Sequence, residues 1–357
     1  MRATFNEPTI TAAPKARIEP AAAIDAIHST PRETSRRMVL ARGAISFTCF
    51  AAALYLGDHW VGRELEHLYF HQQSGDDWNT TETLMHSEAD IEIFGDSRGS
   101  HHYNPKVIEE YLDHKVTCHN GSRTAQTILY SDAVQKALLE RHKPRLIILD
   151  LNPAATVKLA NAAERLSVLS PYYDDVPAIQ PILESRSPYE RFKLLSHCYR
   201  FNSRLPTLLK YTLQPETSDL KGHKPLIGQF PPRAFLIPND SPTADQVPAL
   251  IDPALERALV SFVQRANAAK VRVILVSSPI HGLSFERTSE ALALKALEGL
   301  DFQWWDYLED SRFYGHTEKF FDRAHLKGAA AEEFSRIIAD RVKPVLTRPV
   351  LAQKSAR

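Results

Sequence analysis

The chain has 357 residues, enough to bury a large core in one domain or two. Its 43 basic and 43 acidic side chains cancel, and no block is basic enough to line a nucleic-acid groove, so no nucleic-acid partner is expected. The three cysteines, Cys49, Cys118 and Cys198, show no metal-binding spacing and exclude a disulfide-built fold.

Residues 1–37 are rich in Ala and Pro, carry scattered charges and lack an apolar period, which reads as a disordered tail. Arg32, Arg36, Arg37 and Arg42 precede an apolar run from Gly43 to Gly57. Extended back to Met38, with Arg42 snorkelling to the interface, the run reaches the ~20 residues that cross a bilayer. Basic residues before it, with Asp58 and His59 after it, orient the amino terminus inside the cell. Residues 38–57 therefore read as a membrane anchor or an export signal, with a buried core helix as the alternative. Residues 58–87 make a linker and a helix carrying Leu65, Leu68 and Phe70, followed by a polar loop.

From residue 88 to 345 strands alternate with helices. A short strand from about Asp90 to Phe94 ends abruptly in Gly95-Asp96-Ser97, and a helix starts at Pro105. Lys115 to Cys118 suits a second strand, followed by a turn through His119-Asn120-Gly121-Ser122 and a helix to about Arg141. Leu146 to Leu151 is a continuous apolar run of the kind buried in parallel sheets, and it stops at Asn152-Pro153. Residues 155–250 break the alternation with many prolines, and predict an insertion of helices and long loops over one edge of the sheet. A helix from Pro253 to about Ala269, a strand from Val271 to Ser278, a helix through Leu292 and Leu297, and an outer strand at Phe302 to Asp306 follow. The last helix is expected from Gly328 to about Val342, with residues 346–357 as a tail. This alternation predicts a three-layer α/β/α sandwich with a mainly parallel, flavodoxin-like sheet.

Ser97 would stand at the carboxyl end of a strand, where open α/β sheets place their sites. A serine hydroxyl attacks well only when a base takes its proton. The candidate base is His325 in Phe321-Asp322-Arg323-Ala324-His325, with Asp322 three residues before it to orient the ring. Taken alone, Asp322 could equally cap the approaching helix.

Together these blocks resemble the SGNH (GDSL-type) hydrolase superfamily. Gly95-Asp96-Ser97 matches its first block, whose serine is the nucleophile, and Asp322-Arg323-Ala324-His325 matches its last, which supplies the other two members of the triad. The resemblance implies an oxyanion hole made by the N–H of Ser97, the N–H of Gly121 and the side chain of Asn152. The third block departs from the pattern: Asp150-Leu151-Asn152-Pro153 stands where the family has Gly-x-Asn-Asp. Asp-Ser-Arg followed by His-His and Asn-Pro is similar to the membrane-attached, exopolysaccharide-associated branches. The resemblance implies an esterase or O-acyltransferase that acts on acylated carbohydrate through an acyl-enzyme and without a cofactor, or a protein that helps D-alanylate cell-wall polymers. The expected partners are then an acylated carbohydrate or other ester, inner-membrane lipid and membrane components of a polysaccharide pathway. The expected place is the bacterial inner membrane, single-pass, with the catalytic domain outside the cytoplasm. The alternative is a non-catalytic carbohydrate-binding or assembly protein of such a pathway, which the altered third block favours.

Arg98 could contact an anionic substrate or pair with a carboxylate, and His281, after a central strand, could line the cleft. His101, His102, His119 and Asp96 superficially suggest a metal cluster, but adjacent histidines rarely share one ion and no metal is expected. Tyr172-Tyr173 and Trp304-Trp305 are candidates for stacking on sugars or for core packing.

Overall fold

A computed structural model describes residues 33–214, 220–228, 231, 242–282 and 286–347, with side chains from residue 38 onward. The tails expected at 1–37 and 346–357 fall outside these residues, except for 33–37 and 346–347, which lie in helices. The chain divides into two units, one ending at Tyr55 and one running from Leu56.

In chain order the helices are α1 (Glu33–Phe70), α2 (Gly75–Thr81), α3 (Ser97–His102), α4 (Pro105–Tyr111) and α5 (Ile128–Arg141). They continue with α6 (Gln180–Glu184), α7 (Glu190–Lys193), α8 (His197–Phe201), α9 (Leu205–Leu213), α10 (Pro253–Ala268), α11 (Glu286–Ala296) and α12 (Gly328–Thr347). The strands are β1 (Ile91–Phe94), β2 (Cys118–Asn120), β3 (Leu146–Asp150), β4 (Arg272–Ser277) and β5 (Gln303–Asp306). All four strand pairings are parallel, in the order β2-β1-β3-β4-β5.

Alternate side chains of each strand serve opposite faces, and the two cores separate accordingly. Ile91, Ile93, Leu146, Ile148, Ile274 and Val276 pack with Tyr103, Ile108, Phe334, Ile338 and Val342, beneath α4 and α12. Phe94, Ile147, Leu149, Val273 and Leu275 pack on the other face with α5, α10 and the insertion. The result is a three-layer α/β/α sandwich.

Five expectations change. The helix expected from residue 60 is the end of one continuous helix, α1. Residues 38–70 are the only helical stretch among the described residues long and apolar enough to cross a membrane, and its most apolar part is unburied, which supports a single-pass membrane protein. The polar loop expected after it is instead α2 and a π-helical turn at Glu82–His86. Its polar residues are buried because they find partners: Asn79 donates to the Asn120 and Ser122 carbonyls, and Thr80 pairs with the Tyr130 hydroxyl.

The second strand lies further along than expected, because His119 and Asn120 are buried despite being polar. Thr83 meets the His119 ring at 3.0 Å, and Asn120 donates to the carbonyls of Gly99 and Tyr103 at 2.9 and 3.0 Å. The insertion mostly covers the α5–α10 face rather than a sheet edge, since Leu166, Leu169, Tyr172, Ile179, Leu183 and Phe201 join that core. Among its described residues it follows the β2 edge around Lys221, where the Lys221 carbonyl accepts from Asn120 N–H at 3.0 Å. Residues 215–219, 229–230 and 232–241 of the insertion lie outside the described residues. Finally, α12 absorbs Pro344 and continues to Thr347, its last turn held by burial of Val345 and Leu346.

The otherwise apolar β1 carries Glu92, fully buried, with one oxygen accepting from the Ser87 hydroxyl. Burial pushes its pKa up to about 8. The folded chain then keeps a proton that the unfolded chain releases, so this residue's contribution to stability is lost as pH rises toward 8. In Glu92→Gln that loss should vanish. The variant's unfolding free energy is expected to gain on the wild type's between pH 5 and 8, at up to about 1.4 kcal/mol per pH unit, read as a widening difference in thermal midpoint. Parallel midpoint curves for the two proteins would contradict the assignment.

Candidate active site

The order β2-β1-β3 reverses direction at β1, so a crevice opens beyond the carboxyl ends of β1 and β3. Ser97 opens α3 directly after β1, and Asn152 follows β3. Asp96 shapes the turn between them. One of its oxygens accepts from Arg98 N–H at 2.8 Å, capping α3, and the other accepts from the Asn152 side-chain amide.

The loop before α12 brings His325 to the same end of the sheet. Its Nε2 lies 2.7 Å from Ser97 Oγ, and its Nδ1 lies 2.9 Å from both oxygens of Asp322. Asp322 Oδ1 also accepts from the N–H groups of Ala324 and His325, at 2.8 and 3.0 Å. Burial opposes ionisation of Asp322, but the His325 ring and these N–H groups outweigh it and hold the carboxyl below the usual carboxylate range. Asp322 is therefore both a loop cap and the partner of a ring nitrogen.

A buried network underlies this loop. Leu326 N–H donates to His102 Nε2 at 3.0 Å, so that nitrogen carries no proton. Nδ1 must then hold it, and it donates to Ser278 Oγ at 2.9 Å. Burial, reinforced by Arg98 and the His325 ring, pushes the His102 pKa well below its ordinary value and keeps the ring neutral. His101 Nδ1 donates to the Lys224 carbonyl at 2.7 Å, and its ring stands edge-on to His325 with centroids 5.2 Å apart. Burial brings its pKa down to about 4. The histidines and Asp96 thus serve separate bonds and do not converge on one point.

Arg98 turns inward. Its guanidinium donates to the carbonyl and hydroxyl of Ser278 and lies 3.7 Å from Asp150, all of them buried. Of the two roles expected for it, this is the pairing with a carboxylate and not the contact with substrate: Arg98 joins the ends of β1, β3 and β4. Gly121 also departs from expectation. Its N–H donates to the Ile93 carbonyl at 2.8 Å and is spent extending the sheet. A Cβ there would come within 2.7 Å of Thr83, so close approach of α2 and its following turn is what requires glycine. His281 backs the His325 loop: its N–H donates to the Arg323 carbonyl at 2.8 Å, and its Nε2 lies 2.8 Å from the Thr317 hydroxyl. Tyr172 is buried with its hydroxyl 2.7 Å from Thr81 Oγ1, and Trp305 packs beneath α12.

Beside Ser97 lies a cavity of about 350 Å³. Ile128, Leu149, Val157 and Leu255 supply apolar walls, and Asn152 and Ala125 reach it as well. Ala125 takes a left-handed conformation at φ 58°, and its carbonyl accepts from Arg165 at 2.7 Å. Lys158 and Arg165, also lining the cavity, have no carboxylate partner among the described residues.

The sequence signal for Ser97, Asp322 and His325 was motif spacing. Ala125 and Ser278 carried none, and His102 stood out only in its His-His pair, because their places depend on loops that converge only after folding. Compared with known proteins, the chain matches no family model, and no curated protein matches it significantly. The architecture is that of the broad doubly wound α/β class, which hosts hydrolases and transferases among other activities.

Proposed function

We propose that the protein is a serine-dependent esterase or O-acyltransferase of the SGNH type, acting on an acylated carbohydrate of the cell envelope or an exopolysaccharide. The observation that carries this reading is the line Ser97–His325–Asp322, with ring nitrogens at 2.7 and 2.9 Å from their partners. His325 Nε2 takes the Ser97 proton as Oγ bonds to the ester carbonyl carbon. The tetrahedral oxyanion collapses, the alcohol leaves with the proton from His325, and Ser97 keeps the acyl group. Water or a sugar hydroxyl then bonds to the acyl carbon and gives its proton to His325, which returns it to Ser97 Oγ as the Oγ–acyl bond breaks; which of the two attacks separates hydrolase from transferase.

The oxyanion would be met by the N–H of Ser97 and by the second amide hydrogen of Asn152, its first being given to Asp96. Ala125, which lines the cavity, would supply the donor that Gly121 does not. The apolar walls suit the acyl group, and Lys158 and Arg165 suit an acidic sugar or other anionic group beside the ester. Residues 38–57 would hold the protein in a bacterial inner membrane with the α/β unit outside the cytoplasm, beside other membrane components of the pathway.

A second reading, a silent carbohydrate-binding or assembly protein, is favoured by the loss of the Gly121 donor and the engagement of Asn152. One missing donor typically costs about 3–4 kcal/mol, which slows an enzyme without abolishing it. Fluorophosphonate labelling decides between the two. Full-length protein should label and Ser97→Ala should not, and labelled wild type should lose acetate release from acetylated glycan, assayed with and without a glycan acceptor. A folded wild type that neither labels nor releases acetate would support the silent reading.

A further inference from the structure

The insertion leaves apolar side chains facing outward where globular surfaces usually place polar ones. On α9, Leu205, Leu209 and Leu213 recur every four residues and form one stripe, with Leu209 and Leu213 59% and 75% exposed. Leu208, on another face of the same helix, is buried in the core, so the helix is seated and the stripe is what remains outside. Around α7 the pattern repeats: Tyr189 and Phe192 are 71% and 69% exposed, and Leu195 is similarly bare. Arg191, Lys193 and Lys210 are interspersed among them, Arg191 lying 3.9 Å from Glu184, Lys193 2.8 Å from Glu190 and Lys210 over the Tyr211 ring. Exposed aromatics and leucines mixed with basic residues are the composition of segments that lie in a membrane interface.

The helix between these two patches, α8, is tied to the chain just after the expected span. Asp58 accepts from Ser196 Oγ at 2.6 Å and from the N–H groups of His197 and Cys198 at 2.8 and 3.2 Å. Gly62 permits the approach, since a Cβ there would lie 2.2 Å from His197 Cβ. Trp60, between them in sequence, is also largely exposed. The apolar run ends at Gly57, one residue before Asp58, and a helix rises only about 1.5 Å per residue. A chain that leaves the bilayer at Gly57 therefore meets α8 at the bilayer surface.

We propose that α7–α9 is a second membrane contact, lying in the headgroup–acyl boundary of the membrane that α1 crosses. Leu205, Leu209, Leu213, Tyr189 and Phe192 enter the acyl edge, and the basic side chains meet anionic headgroups. The occupant of this face is lipid. The proposal does not depend on the catalytic reading.

The test uses the full-length chain in liposomes of phosphatidylethanolamine and phosphatidylglycerol, at no more than one chain per vesicle. Hydroxyl-radical footprinting of the unmodified protein should oxidise Tyr189 and Phe192 several-fold less than Tyr111, although Tyr111 on α4 is only 41% exposed. A nitroxide on Leu209→Cys, with Cys49→Ala and Cys198→Ser, should collide several-fold more with oxygen than with a water-soluble nickel chelate, relative to a label on Tyr111→Cys. Oxidation of Tyr189 and Phe192 at or above that of Tyr111 would overturn the proposal. So would protection seen only at high protein-to-lipid ratio, which means a second copy covers the face. A label shielded from both reagents would overturn it too, since another part of the chain then covers the stripe. If the cysteine variants do not fold, footprinting of the unmodified chain decides alone.

Discussion

Asp322→Asn should cut turnover by about 10^3–10^4-fold with little change in the thermal midpoint. The reasoning starts from the two jobs of the side chain. Oδ1 accepts from the N–H groups of Ala324 and His325, and an asparagine oxygen can do the same, so the loop should keep its shape. Both oxygens lie 2.9 Å from His325 Nδ1, and asparagine puts an N–H donor in the place of one of them. A ring that accepts from that donor at Nδ1 carries its proton on Nε2, the nitrogen 2.7 Å from Ser97 Oγ. A protonated Nε2 cannot take the serine proton. Steady-state turnover and the thermal midpoint, measured on the same preparation, check this. An active wild type whose variant keeps more than about a tenth of the rate would show that Asp322 is a cap and nothing more.

Arg98→Met should destabilise the protein by about 3–5 kcal/mol, the usual cost of leaving a buried charge without its partner. Asp150 is buried at the end of β3 and sits 3.7 Å from the guanidinium. Burial raises its pKa to about 6 even with Arg98 present, and removing Arg98 should raise it further. A folded-state pKa above the unfolded one means stability lost as pH rises. The deficit should accordingly be larger at pH 8 than at pH 5, read from denaturant unfolding at both. A substrate contact would behave differently, raising KM with the stability unchanged. That result would restore Arg98 to the binding surface.

The fold was legible because its strands carry their own signals. Leu146 to Asp150 and Arg272 to Ser277 are apolar runs that only a sheet covered on both faces can bury, and the intervening helices repeat at three- and four-residue steps. Ser97 and the Asp322–His325 pair were legible for a related reason. A nucleophile at a strand end and a base with its orienting carboxylate in one short loop are local patterns, and a parallel sheet brings such loops to one end. Polar residues misled wherever tertiary partners satisfied them. His119 and Asn120 suit a turn by composition and are strand, and Asn79 and Thr80 are polar yet buried in a helix. Hydrogen bonds to groups distant in sequence offset the cost of burying them, and no local pattern announces such a partner.

The site's detail belonged to the tertiary structure for the same reason. Whether the Gly121 N–H faces a cavity or the Ile93 carbonyl depends on where β1 ends beside it. Whether Arg98 meets substrate or Ser278 depends on β4, which lies 180 residues further along the chain. Composition and spacing determined that a serine, a histidine and an aspartate could meet at one end of a parallel sheet. Only the packing of distant loops decided which neighbours stand behind them, because hydrogen-bond partners are chosen by proximity in space and not in sequence.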